Sequence, residues 1–200
     1  NNNAMFNLSY GLFVLTSQLN GKDNGCIVNT VTQVTVSPNQ IAVAVNKQNL
    51  THDMIKVSGV FNVSILSEKS KFATYKHWGM QSGTDTDKLE AITYKRSANG
   101  LVYIEDEANA FISAKVVNKI DLGTHTLFIA EVTDCEVISE DPSVTYAYYH
   151  KNIKEVPQAK TEAKKGFICV ICGYIYEGDT LPEDYICPIC KHPASDFKPL

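Results

Sequence analysis

Long apolar runs are missing from this 200-residue chain; Ile41 to Val45 is typical of the longest. A membrane helix needs roughly 20 consecutive apolar residues, so no membrane span is expected. An excess of positive charge is missing too. The net charge is −4, whereas a surface that binds nucleic acid is usually basic. The opening residues Asn1-Asn2-Asn3-Ala4-Met5 show no basic region leading into an apolar stretch, the mark of a secretory signal. The expected setting is therefore the reducing cytoplasm, with neither membrane nor nucleic acid as partner. Neither G-x-G-x-x-G nor G-x-x-x-x-G-K-S/T occurs, which argues against a Rossmann dinucleotide fold and a P-loop. No two histidines stand at metal-ligand spacing: His52, His77, His125 and His150 are isolated, and isolated histidines are usually structural. There is no repeated unit and no low-complexity tract.

Cysteine is sparse until residue 169. Cys26 and Cys135 lie in strand-like stretches and are expected to be small buried apolar side chains. The other four cluster. Cys169 and Cys172 form one C-x-x-C pair and Cys187 and Cys190 a second, with fourteen residues between the pairs. Each C-x-x-C turn sets two thiolates on one side of a tight loop. Two such loops face to face give a tetrahedral four-sulfur cage suited to zinc or a single iron. The thirty-five residues from Gly166 to Leu200 hold few apolar side chains, so a metal is the expected staple. Spacing alone leaves a structural zinc ribbon and a redox iron centre both open.

Residues 1–150 read as mostly β. Leu12 to Thr16, Cys26 to Ser37, Ile41 to Val45 and Val60 to Leu66 are runs of strand character. Asn24-Gly25 and Asn99-Gly100 are hairpin-turn dipeptides, with short strands at Ile92 to Tyr94 and Leu101 to Ile104 around the second. Ala110 to Ile120 and Thr124 to Ile138 are the longest strands, turning at Asp121-Leu122-Gly123, and Val144 to Tyr149 ends the unit. Thr51 reads as the N-cap of a short helix stopped by Gly59, and Ser67 as the N-cap of a helix running to about Lys76. At least seven strands with two short helices predict a closed antiparallel barrel. Asn46 to Thr51, a polar loop feeding a helix start, offers amides, a hydroxyl and one positive charge, which suits a phosphate.

Charge is unevenly spread. Residues 151–165 hold five lysines against two glutamates, +3; residues 166–200 carry −3 and residues 1–150 carry −4. The basic stretch contains Pro157 and lacks apolar periodicity. It reads as a flexible tether with an r.m.s. span of about 20 Å. The acidic terminal unit suits a basic partner surface.

The segment Phe167-Ile168-Cys169-Val170-Ile171-Cys172-Gly173-Tyr174-Ile175-Tyr176, with Cys187-Pro188-Ile189-Cys190, resembles the rubredoxins in the shortened form that ends rubrerythrins. The resemblance implies one iron held by Cys169, Cys172, Cys187 and Cys190 and shuttling single electrons. Gly173 is expected at positive φ with its N–H free to point at a sulfur. Lys191 stands where the family repeats that glycine, and Tyr185 where tryptophan is common.

Three stretches resemble the flavin reductase-like, FMN-binding split-barrel family: Ser9 to Ser17; Asn24 to Val31 with Ser37-Pro38; and Gly123 to Val132. This resemblance implies a homodimer with FMN near the subunit interface. It sets Asn29, Thr30 and Val31 against the flavin ring and Asn46, Lys47, Asn49 and Thr51 on the phosphate. Trp78 would lie close to the flavin, and His125 and His150 near the face where nicotinamide stacks.

The two units in one chain resemble the high-molecular-weight rubredoxins of anaerobes. The expected fold is mainly β. A Greek-key split β-barrel with short helices spans 1–150, a linker 151–165, and a small rubredoxin-like metal-binding domain 166–200. The resemblance implies hydride transfer from NAD(P)H to FMN, then single electrons through the iron to a redox partner. That partner would be a flavodiiron protein reducing dioxygen or nitric oxide. Two other readings stand beside it: a carrier reduced by a separate reductase, and a flavin reductase with a structural zinc ribbon.

Overall fold

The alternating apolar pattern of the larger unit resolves, among the described residues, into nine strands. The computed structural model describes residues 4, 7–90, 92–155, 166–171, 173–188 and 192–200. Seven strands form one antiparallel sheet: β1 (Phe13–Leu19), β2 (Lys22–Val28), β3 (Thr32–Val36), β4 (Asn39–Asn46), β5 (Val60–Leu66), β8 (Ala108–Asp121) and β9 (His125–Val137). Their order is β2-β1-β5-β8-β9-β4-β3, so β4 returns to lie beside β9 in a Greek-key path. β6 (Lys95–Arg96) and β7 (Val102–Tyr103) make a small separate hairpin.

The expected closed barrel is split. β2 and β3 are the two edges of the curled sheet, and the chain crosses between them at residues 29–31. The run from Cys26 to Ser37 is thus two strands rather than one. Thr30 pins the crossing to β4, since its hydroxyl donates to Ala44 O at 2.9 Å and accepts from Ala44 N at 3.1 Å. Asn24-Gly25 lies inside β2, not in a turn. The β1–β2 turn is Asn20-Gly21, where both residues have positive φ (52° and 77°), as a two-residue hairpin loop prefers.

β1 opens on an unbroken apolar run, Phe13-Val14-Leu15, because both of its faces are covered there. Phe13 and Leu15 enter the barrel core with Val43, Val45, Phe61, Val63 and Phe128. Leu12 and Val14 face a second cluster with Leu66, Tyr75, Trp78, Val144 and Tyr149. Helix α1 (Leu50–Ser58) inserts Ile55 into the barrel core. It ends at Gly59, which adopts φ 71° and donates to Ile55 O at 2.9 Å. Its N-cap position is Asn49, so Thr51 lies within the first turn.

Helix α2 (Phe72–Gly79) begins five residues after the expected Ser67 cap. Ser67 instead forms a bridge with Ser143 and donates its N–H to Glu107 O. The Glu107 carboxylate then serves the helix start, accepting from Lys71 N at 3.0 Å and from the Thr74 hydroxyl. Residues 92–94 form no strand; Lys95–Arg96 pairs with Val102–Tyr103 in their place. A helical turn α3 (Tyr146–Tyr148), whose Tyr148 N–H is capped by the Thr145 hydroxyl, runs on as a π-helical turn through Ile153. Ordered helix thus enters the stretch read as a tether, whose residues 156–165 lie outside the described residues.

The terminal unit has a three-stranded sheet of β11 (Ile175–Tyr176), β10 (Phe167–Cys169) and β12 (Phe197–Pro199). Its core gathers Cys169, Cys187 and Phe197 with Tyr174, Tyr176 and Tyr185 packed around them. Among the described residues no helix is long and apolar enough to cross a membrane.

Candidate functional site

The seam that splits the barrel opens into a cavity of about 760 Å³, within the usual range for a small-molecule site. Its wall is built from the β2 end, the 29–30 crossing, the loop into α1, the end of α2 and the loop 81–88. Asn29, Thr30, Asn46, Asn49, Thr51, Trp78 and His125 all line it. Val31, Lys47 and His150 do not. Val31 packs against the barrel core. The Lys47 ammonium pairs with both carboxylate oxygens of Asp121 at 2.7 and 2.8 Å. Lys47 and the Gly123 N–H together hold the Asp121 carboxyl below its ordinary value. His150 stands edge-on to Tyr146, with ring centres 4.4 Å apart.

The loop before α1 is shaped by its asparagines. Asn46 accepts from Gln48 N through its side chain, and its carbonyl accepts from Asn49 N. Asn46, Gln48, Asn49 and the first two residues of α1, Leu50 and Thr51, line the cavity, so the start of the helix lies at its wall, an end suited to an anion. The Thr51 hydroxyl is spoken for: it accepts from Asn24 Nδ2 at 2.9 Å and bonds the Cys26 thiol. Burial pushes that thiol up, and Cys26 is inert core, as expected. Cys135 departs from expectation and is exposed on β9, one of the residues that point outward near its end.

Four histidines have plain structural or peripheral places. His52 is buried between Asp53 and Thr126, each 2.8 Å away. His77 Nε2 donates to Lys88 O at 2.6 Å, which leaves Nδ1 to accept from Gln81. His125 sits opposite Asn46 in the β4–β9 register and reaches the cavity, its Nδ1 2.9 Å from the Thr124 hydroxyl. Burial pushes its pKa down, and His192 and His52 push the same way. Burial also lowers His150, with Lys154 adding to it.

Several lining residues escape a reading of the sequence. Lys88, in a polar loop that looks solvated, is buried and donates to Gly25 O at 2.9 Å and Trp78 O at 2.8 Å. Burial lowers its pKa, and the nearby Cys26 offsets part of that. Gly83 packs on the Asn24 amide; a Cβ there would meet Asn24 Oδ1 at 2.0 Å. Tyr146 and Tyr149, on the helical turn after β9, also reach the cavity. Its remaining wall comes from the terminal unit: Ile171, Pro188 and His192.

Cys169 and Cys187 are both fully buried in the terminal unit. Cys172, Cys190 and Lys191 lie outside the described residues. Gly173 has the expected positive φ, 80°, but its N–H donates to Cys169 O at 2.8 Å and closes the first cysteine loop. Cys187 N donates to His192 O at 2.8 Å and closes the second. Two buried thiols on two such loops fit a soft-metal site.

A curled, split antiparallel sheet with a cavity at its seam, followed by a cysteine-loop module, defines a two-part oxidoreductase architecture. The chain belongs to the flavin reductase-like family: the model "Flavin reductase like domain" matches residues 5–157, and "Rubrerythrin, rubredoxin-like domain" matches residues 167–198. It is similar to the "High molecular weight rubredoxin" of Moorella thermoacetica, with 36% identity over 216 residues covering 94% of each chain. It is also similar to the "Ferric-chelate reductase (NAD(P)H)" of Archaeoglobus fulgidus, 42% identical over 147 residues, 74% of this chain and 87% of that one. Among solved structures, the flavin reductase PheA2 in its native state is 32% identical with a TM-score of 0.61, over 72% of this chain and 88% of its own.

Proposed function

We propose that the chain oxidises NAD(P)H with a bound FMN and passes single electrons through an iron centre to a redox protein. The observation that carries this reading is the make-up of the cavity wall. Residues 29–30 and Trp78 of the barrel share it with Ile171, Pro188 and His192 of the cysteine-loop module. When bound, a flavin would supply the conversion from a hydride pair to single electrons, and an iron held by four thiolates would supply a one-electron acceptor.

In this reading the chain mainly positions its groups. Asn46, Asn49 and the first-turn amides of α1, with Thr51 among them, hold the phosphate end. Asn29 and Thr30 meet the ring edge at the seam, with Val31 supporting them from the core side and Trp78 forming a wall. Lys47 adds positive potential to the phosphate only when its ammonium leaves Asp121. His125 stands where nicotinamide would approach, and His150 supports the tyrosines beside it. Cys169, Cys172, Cys187 and Cys190 hold the iron. The larger unit spans 1–150, the linker 151–165 and the module 166–200. The chain works as a homodimer in the cytoplasm. Its acceptor is a flavodiiron protein, which the acidic module meets through a basic surface.

The test is the ultraviolet–visible spectrum with metal analysis, before and after anaerobic NADH or NADPH. Flavin and iron bands that bleach together support the reading. Flavin bands over zinc, without red colour, would replace it with a plain flavin reductase carrying a structural module.

A further inference from the structure

Three contacts bring the terminal module onto the barrel, and each uses its cysteine loops. Ile171, Pro188 and His192 complete the cavity wall. Lys154 Nζ donates to Val170 O at 2.8 Å and to Ile171 O at 2.6 Å, both in the first cysteine loop. Gly173 and Tyr174 border a second crevice against His77, Met80 and Gln81 at the end of α2. Cys169 and Cys187 are fully buried. Electrons must therefore cross the residues that flank them, and Ile171 and Pro188 are two of those.

We propose that the docked module and the nicotinamide compete for the mouth of the flavin cavity, with Lys154 as the latch that holds the module there. The inference rests on the reading of the cavity as a flavin site. A hydride donor must lie against the open face of the flavin, on the side that His125 lines. The module's His192 lines that same cavity. One mouth holds one of the two. A module docked most of the time lowers the apparent affinity for nicotinamide in proportion to the undocked fraction. By linkage, bound nicotinamide weakens docking by the same factor. The cysteine-loop face must also leave the cavity before an external acceptor can meet it. Turnover alternates: open for hydride, which brings two electrons, then closed for a one-electron transfer to the metal and open for its export, twice for each hydride. The latch is an ammonium held by two carbonyl dipoles of the first cysteine loop; the opposite net charges of residues 151–165 (+3) and 166–200 (−3) add a longer-range attraction that salt screens.

The test uses the full chain loaded with flavin and iron: wild type, Lys154→Ala and Lys154→Arg. NAD+ and NADP+ serve as non-reducing probes, titrated while the flavin absorbance is followed. Lys154→Ala is expected to tighten the better-bound probe about fivefold and to slow flavin-to-iron transfer in a single turnover, while Lys154→Arg stays near wild type. Equal affinity in wild type and Lys154→Ala overturns the proposal, whatever happens to electron transfer. So does the absence of probe binding in both. Failure of the underlying electron-transfer reading looks different, because then neither NADH nor NADPH bleaches the bands in any variant.

Discussion

A Cβ placed on Gly25 would stand 2.6 Å from Cζ3 of Trp78 and 3.0 Å from Cγ2 of Thr16. The Cζ3–Cε3 edge of the indole packs against the β2 backbone at Gly25, and only a glycine leaves room for it. Trp78 is 2% exposed, so it has nowhere to retreat. Gly25→Ala is expected to cost about 1–3 kcal/mol by overpacking and to tilt the indole into the cavity. Urea unfolding would read the first effect and flavin affinity the second. Wild-type values of both would mean that Trp78 does not depend on this contact.

Lys88 ties the same two residues together through their carbonyls. No carboxylate among the described residues pairs with it, so its charge is held by peptide dipoles alone. One of these belongs to the last turn of α2, where a cation is favoured. Lys88→Met would keep the aliphatic stem but leave two carbonyls without their donor. The expected loss is about 2–3 kcal/mol of stability, with weaker flavin binding as the wall loosens. An unchanged urea midpoint would show that water replaces the ammonium without cost.

Tyr75 carries a pH signature. Burial, with Glu107 adding to it, pushes its phenol up to about 12, although Ser70, 2.5 Å away, acts the other way. An unfolded tyrosine ionises near 10. The neutral buried ring therefore contributes its full stability below pH 10 and loses it as the pH rises from 10 toward 12. Tyr75→Phe is expected to be about 1 kcal/mol weaker at pH 7, having lost the Ser70 bond. The gap to wild type should close by pH 11. A gap that stays constant from pH 7 to 11 would show that Tyr75 ionises as freely in the folded protein as in the unfolded one.

The strands and the cysteine loops were legible because their signals are local. Val60–Leu66 reads as a strand and forms one over that span, and Gly59 stops α1 as its left-handed φ requires. The α2 start was not legible, because Ser67 is taken by Ser143 and Glu107, partners 76 and 40 residues away in sequence. Lys88 and Asn24 were invisible for the same reason: a buried polar side chain is recognisable only from its distant partners. Asn24-Gly25 carries the composition of a turn, but the neighbouring Asn20-Gly21 wins the hairpin. Its loop aligns Leu19 with Lys22 and so keeps Leu15 opposite Cys26 in the core. Asn29, Thr30 and His125 were placed by family resemblance, and the split seam is what gathers them.

A metal is expected to support one unit and not the other. Cys169 and Cys187 sit in a small cluster with Phe197, separate from the two clusters that hold the barrel. A core that small gains most of its stability from metal binding. Cys169→Ser or Cys187→Ser is therefore expected to abolish the iron colour and to unfold the module. The barrel should keep its own unfolding transition, and flavin reduction by NAD(P)H should persist. Circular dichroism, metal content and anaerobic bleaching of the flavin band would read the three effects on one sample. If the latch also holds, losing the module exposes the cavity mouth, and the flavin should be reduced at lower NAD(P)H concentrations than in wild type. Loss of flavin reduction together with iron would show that the barrel depends on the module for its fold, and the division into two units would fall.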